Sequence, residues 1–293
     1  GDETALNTVV SPYAGYMTRI GQTFNAHYRV EETLRVRDPT FSTYLYKDRT
    51  THVNVEFDPT GRITEIQIGI DGIALATAKG TPLGNVTTRD IYMALAKTPF
   101  GKPNRAKTWK DVNAKLPALP IRVYGPPPTS GTRDALVELI LTAGCESNAG
   151  MAAFKKSDEK KHKAICTGVR EDGAFIEAGE NDNLIVQKLA ANPNTLGIFG
   201  YSFLEENVSK LKGVHINGVA PTYETISSFK YPGARPLYIY VKNAHAGAIP
   251  AVRAFVAEFT KESAFGPKGY LRQAGLIASP NSVRARSQVA ARQ

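Results

Sequence analysis

The chain has 293 residues, of which 42% are hydrophobic and 22% charged, and 36 lysines and arginines against 27 acids leave a formal charge of +9. This length allows two domains of ordinary size or one large one, and no apolar run approaches the roughly 18 residues a helical membrane span needs. The positive balance would suit nucleic acid, an acidic membrane surface or a small anion, but basic residues are spread along the chain. No stretch interleaves them with aromatics and no zinc-finger or recognition-helix signature occurs, so nucleic acid is not an expected partner.

Residues 63–78 alternate apolar and polar and then become continuously apolar, which predicts a strand entering a buried sheet. Beyond Gly80 and Pro82 the period changes, and residues 86–97 read as a helix with Thr87 or Thr88 as cap and Ile91, Tyr92 and Leu95 on one face. Residues 107–113 read as a short surface turn around Trp109, the single tryptophan. Residues 119–124 form the next predicted strand.

That strand runs into Tyr124-Gly-Pro-Pro-Pro-Thr-Ser-Gly-Thr-Arg-Asp-Ala-Leu136. Three prolines fix φ and donate no N–H, so the approach to the following helix is stiff. Ser130, Gly131 and Thr132 then offer hydroxyls and backbone N–H groups where the helix dipole is positive, and Arg133 adds a guanidinium able to grip a tetrahedral oxyanion. Taken alone, the same residues read first as an ordinary N-cap with Asp134 in the first turn, and context has to decide for an anion. Leu136, Val137, Leu139, Ile140 and Leu141 give the helix its core face, with Gly144 as its expected stop.

Two cysteines, Cys145 and Cys166, flank a polar stretch holding Lys155, Lys156, Lys160, Lys161 and Lys163. A disulfide tethering this excursion would stabilise by roughly 3 kcal/mol and imply an oxidising compartment. Two buried thiols are the alternative; the bridge is the expectation. Further on, residues 181–191 read as a helix with Leu184, Ile185, Leu189 and Ala190 inward, broken by Asn192-Pro193-Asn194. Residues 196–203 form a strand whose glycines permit close approach, and 235–242 another β-rich run. Residues 249–260 and 269–275 close the chain as helical segments, and the tail from Ser279, with Arg284, Arg286 and Arg292, reads as a solvated end. Strand–helix alternation gives an α/β class with mostly parallel sheets.

Residues 63–80, 86–92, Thr108-Trp-Lys-Asp-Val112, 124–135, 181–187, 196–207 and 235–241, in this order, resemble the periplasmic phosphate-binding proteins of bacterial ABC importers. The resemblance spans roughly residues 60–280. It implies a class II periplasmic substrate-binding protein, α/β, with a two-lobed, type II periplasmic-binding-protein-like fold of mixed sheets flanked by helices and two hinge crossings. Lobe I would comprise residues 1–78 and 234–293, and lobe II residues 79–233. Phosphate would lie between the lobes, with Ser130, Gly131 and Thr132 as donors and Arg133 as the nearby cation. The family's first lobe usually adds a Gly-Ser-Ser-Thr turn, a Thr-Gly loop and an aspartate. Here only Asn7-Thr-Val-Val-Ser-Pro-Tyr13 is similar to the first of these, which makes Thr8 and Ser11 the candidates.

Three acids compete for the role of acceptor or rim residue. Asp134 could instead offset the dipole or pair with Arg133, Asp71 could cap a neighbouring loop, and Asp182 could simply help start its helix. Tyr124 and Tyr201 read as core. The histidines at 27, 52, 162, 215 and 245 are scattered and peripheral, so no metal and no cofactor are expected. Ser130 is not in Gly-x-Ser-x-Gly, and the loop lacks the lysine of a nucleotide-hydrolase phosphate loop, so no catalytic residue is assigned and an enzyme is not expected. The partners implied are inorganic phosphate and a membrane ABC permease, with the protein a periplasmic monomer. The start Gly-Asp-Glu-Thr has no basic segment followed by an apolar one, so either no signal peptide existed or it has already been removed, and the resemblance implies the second. The rival readings are a binder of sulfate, molybdate or a phosphonate, and a phosphate-handling enzyme.

Overall fold

The computed structural model describes residues 44–47, 53–56, 63–179 and 181–292. The described residues form two compact units, one made of those up to 69, of 236–273 and of those from 278 on, the other of those within 70–235 and of 274–277. The division falls at 69/70 and 235/236, where the sequence suggested 78/79 and 233/234. The shift has a simple cause: Ile73 to Ala78 pair with strands of the second unit.

The six-stranded sheet is built on the long strand Ile63–Ala78, whose residues from Ile70 on belong to the second unit. Ile73, Ala74, Leu75 and Ala76 are all buried, as a continuously apolar run covered on both faces requires. Leu196–Gly200 pairs antiparallel to it, with Ile73 opposite Gly200 and Ala76 opposite Gly197, and Leu211–Gly213 pairs antiparallel further along. Val123–Gly125 lies parallel to both Leu196–Gly200 and Phe175–Glu177. The sheet is therefore mixed rather than mostly parallel. Alternating strands and helices do not by themselves fix direction; the antiparallel pairs here join strands far apart in sequence.

Helix Thr88–Leu95 starts at Thr87, whose hydroxyl accepts from the Asp90 N–H while the Asp90 carboxylate accepts from the Thr87 N–H. This reciprocal capping box satisfies two otherwise orphaned donors. The helix that follows the proline loop runs through three consecutive segments, Gly131–Ala135, the π-turn Leu136–Leu141 and Thr142–Glu146. Gly144 is not its stop. A Cβ there would sit 2.2 Å from the Thr88 carbonyl oxygen and 2.6 Å from Tyr92 Cβ, so glycine is what lets the two helices touch.

Trp109 opens a one-turn helix, Trp109–Val112, capped by Thr108 and Asp111, and is 1% exposed. The turn is at the surface but its tryptophan is core, because the ring faces inward while Lys110 and Asp111 face out. Helix Asp182–Ala191 buries Ile185, Val186 and Leu189. Leu184 and Ala190 are exposed, against expectation, since the buried stripe is rotated by one residue. The segment 196–203 is strand only to Gly200, after which Tyr201–Glu206 is helical. Tyr124 and Tyr201 are buried.

The strand Ala234–Lys242 lies beside the long strand and, like it, contributes residues to both units; in the first unit helices Pro250–Phe259, Glu262–Phe265 and Asn281–Ala290 follow. Gly269 to Gly275 contain a single short 3-10 turn, Tyr270–Arg272. The tail is not a solvated end. Arg284 is buried and donates to the Glu262 carboxylate and to the Ser279 carbonyl, while Ser287 Oγ donates to Gln67 O at 2.7 Å. No described helix is long and apolar enough to cross a membrane.

Candidate functional site

The stiff segment from Gly125 delivers Ser130 with extended backbone, φ −85° and ψ 135°, at the start of the helix. Ser130 Oγ accepts from the Thr132 N–H at 3.2 Å, and Ser130 O accepts from the N–H groups of Arg133 and Asp134 at 3.0 and 3.1 Å. Its own N–H is tied to Pro127 O at 3.0 Å. The turn is thus fixed from both sides before any ligand arrives, and the helix dipole leaves it positive. Gly131 is exposed, and Thr132 and Arg133 are half-buried.

Arg133 is anchored to its own loop. Its Nη1 donates to Pro126 O at 3.2 Å, and the guanidinium lies 4.3 Å above the Phe175 ring. Phe175 reaches that position because Gly125 has no side chain: a Cβ at Gly125 would meet Phe175 Cζ at 2.5 Å. Burial pushes the Arg133 pKa below its ordinary value, while Glu177, Asp134 and Glu171 counter this by favouring the charged form. An arginine starts so far above neutrality that it stays cationic.

A second cation enters from a distant part of the chain. Arg235, in Ala234–Lys242, donates from Nε to Asp71 Oδ2 at 3.2 Å and from Nη2 to Gly131 O at 3.1 Å. It is largely buried, its side chain 17% exposed. Among the described residues, two of its five guanidinium donors are engaged in these contacts, beside Gly131. Asp71 is therefore the carboxylate partner of an arginine rather than a loop cap. Asp182 Oδ2 accepts from the Gly200 N–H at 3.0 Å, and burial, with a smaller contribution from the Asp71 charge, pushes its pKa up. The helix cap itself is Asn181, whose side chain accepts from the Asn183 N–H.

Of the residues suggested by sequence, Ser130, Gly131, Thr132 and Arg133 share one turn, and Asp71 joins them through Arg235. Asp182 lies within electrostatic range of Asp71, and Asp134 is exposed on the first helical turn. Thr8 and Ser11 lie outside the described residues. Arg235 was missed as a site residue; the only local sign was a lone arginine heading an otherwise apolar β-run. The cysteines form the expected disulfide, Cys145–Cys166, with Cα atoms 5.4 Å apart. His162 is not peripheral: it is 4% exposed, with Nε2 3.2 Å from Cys166 Sγ, because it lies one helical turn before that cysteine on the inward face. Chemically, the loop offers fixed hydrogen-bond donors, two guanidiniums and a neighbouring carboxylate, a set suited to a tetrahedral oxyanion that carries a proton.

Comparison with known proteins agrees with this architecture. Protein SphX of Synechococcus elongatus is 34% identical over 203 residues, covering 67% of this chain and 51% of that protein. The phosphate-binding protein PstS of Staphylococcus haemolyticus is 31% identical over 224 residues, 74% of this chain and 58% of that protein. The chain therefore spans little more than half the length of these relatives. The crystal structure of a possible phosphate-binding protein from Planctomyces limnophilus has a TM-score of 0.55 at 26% identity, covering 78% of this chain and 72% of that one. An ABC-type phosphate transport receptor from Vibrio cholerae shares the fold at a TM-score of 0.53 and 17% identity, over 76% of each chain. The fold is α/β, of the two-lobed type II periplasmic binding kind. The model of the PBP superfamily domain matches residues 47–263, and the chain belongs to that superfamily.

Proposed function

We propose that this protein is an extracytoplasmic solute-binding protein that captures inorganic phosphate and delivers it to a membrane ABC permease, acting as a monomer and without chemistry of its own. The observation that carries this reading is the helix start at Ser130, Gly131 and Thr132 with Arg133 behind it and Arg235 tied to Gly131 O. Its support also includes the relatives' own description as phosphate-binding proteins and the disulfide, which suits an oxidising compartment. In this reading Ser130, Gly131 and Thr132 donate to the phosphate oxygens, the two arginines balance its charge, and Asp71 takes the hydrogen bond from the phosphate proton. Asp134 and Asp182 form the rim. Sulfate has no proton to give, so it would set a dianion against the Asp71 carboxylate.

Calorimetric titration tests the reading. Phosphate is expected to bind at micromolar concentration or tighter, with sulfate in large excess failing to displace it. Equal competition by sulfate, molybdate or a phosphonate would replace phosphate with a broader oxyanion assignment, and turnover of a phosphomonoester would overturn the non-enzymatic one.

A further inference from the structure

A second constellation lies away from the anion loop. Cys145 belongs to the helical segment Thr142–Glu146, and His162 and Cys166 lie one turn apart on helix Glu159–Thr167. The Sγ atoms of both cysteines and a ring nitrogen of His162 all fall within 4.8 Å of one another, and all three residues are buried. His162 Nε2 points at this centre, 3.2 Å from Cys166 Sγ and 3.5 Å from Glu146 Oε1. Glu146 directly follows Cys145, is 29% exposed, and has Lys155 Nζ at 3.1 Å from the same oxygen. Two sulfurs and an imidazole nitrogen therefore converge from two packed helices, with the Glu146 carboxylate beside the imidazole as an oxygen donor. The spacing from His162 to Cys166 is the i, i+4 arrangement that sets two ligands on one helix face. Such a donor set matches tetrahedral zinc, which prefers sulfur and nitrogen with one oxygen tolerated.

We propose that the reduced form of this chain holds one zinc-like divalent cation through Cys145, His162, Cys166 and Glu146, so that the disulfide and the metal are alternative states of one site. In the first step a reductant, a dithiol or a phosphine, supplies two electrons and water or the dithiol supplies two protons; the S–S bond breaks and two thiols form. A dithiol leaves as its disulfide, and a phosphine as its oxide. In the second step the cation displaces both thiol protons to solvent, and the thiolates, the imidazole and the carboxylate bind it. On zinc the sulfurs would stand about 3.8 Å apart, given Zn–S bonds of about 2.3 Å. The Cα separation of 5.4 Å accommodates this by side-chain rotation. Lys155 would then give up Glu146 and turn outward; it is already part-exposed.

The test uses the full chain, oxidised or reduced with a phosphine that is then removed, titrated with Co²⁺ as a spectroscopic probe and with Zn²⁺ in competition. The reduced protein is expected to take up one equivalent of Co²⁺, with the intense visible bands of tetrahedral cobalt and thiolate charge transfer, while the oxidised protein shows neither. His162→Ala should weaken Zn²⁺ binding at least about tenfold, Glu146→Gln less, and Cys145→Ser with Cys166→Ser should abolish it. Far-ultraviolet circular dichroism before and after reduction follows the helix pair. Loss of the helices on reduction, no cobalt spectrum in the reduced protein, or the same uptake in the oxidised protein would each overturn the proposal.

Discussion

Arg235 binds Asp71 and the Gly131 carbonyl at once, so its removal should do two things: leave a half-buried carboxylate without its cation and take a positive charge from the anion loop. Arg235→Ala is expected to weaken phosphate binding by roughly 30- to 100-fold, about 2–3 kcal/mol, on the scale of a charge-assisted hydrogen bond. Titration calorimetry measures it, and an unchanged Kd would remove Arg235 from the site. Asp182 carries a different prediction. Its folded-state pKa is raised, so the folded protein holds that proton more tightly than the unfolded chain, and the charged form costs stability above the folded pKa. Asp182→Asn keeps an oxygen for the Gly200 N–H and should raise Tm at neutral pH. The gain should shrink as pH falls through the raised pKa and vanish below the ordinary aspartate range. A Tm difference independent of pH would show that desolvation of the charge is not its cause. Sequence offered both acids as candidates but could not rank them, because what separates them is a partner 164 positions away for Asp71 and, for Asp182, burial against the Gly200 N–H 18 positions on.

At the scale of elements, the helix start at Ser130 and the box at Thr87 and Asp90 were legible from the chain alone, since a cap is a contact between residues two or three apart. Helix packing was not. Gly144 reads locally as a terminator, yet its absent side chain is filled by the Thr88 carbonyl of the neighbouring helix. Gly144→Ala would gain local helix propensity of about 1 kcal/mol and lose more by forcing the helices apart. A net destabilisation of roughly 1–3 kcal/mol is expected, read from the urea midpoint; stabilisation would mean that the contact relaxes freely. The same distinction explains Trp109 and Arg284. Their local sequences are polar and turn-like, and burial was decided by elements that arrive from elsewhere.

For the molecule as a whole, a ligand that binds only the folded state must stabilise it by mass action. Phosphate at about 100 times its Kd should add about 2.7 kcal/mol and raise the unfolding temperature of the unit holding residues 70–235, while sulfate at equal ionic strength should not. Calorimetry resolves this if the two units melt separately; equal shifts by both anions would signal a salt effect. The positive net charge excluded little by itself, but with the proline-stiffened helix start it pointed to a small anion rather than a polymer.

What the chain determined by itself was everything set by near neighbours and by order: the apolar run Ile73 to Ala76, the capped helix starts, the stiff loop before Ser130, and the α/β succession that carries the superfamily. What only tertiary structure decided was strand direction, the tilt of the buried helix faces, and the company each charge keeps. Arg235 meets Gly131 across 104 positions of sequence, and no local pattern encodes such a meeting. It arises because the buried sheet fixes the long strand Ile63–Ala78, and with it Asp71, beside Ala234–Lys242, where a guanidinium can find a carboxylate and a carbonyl together.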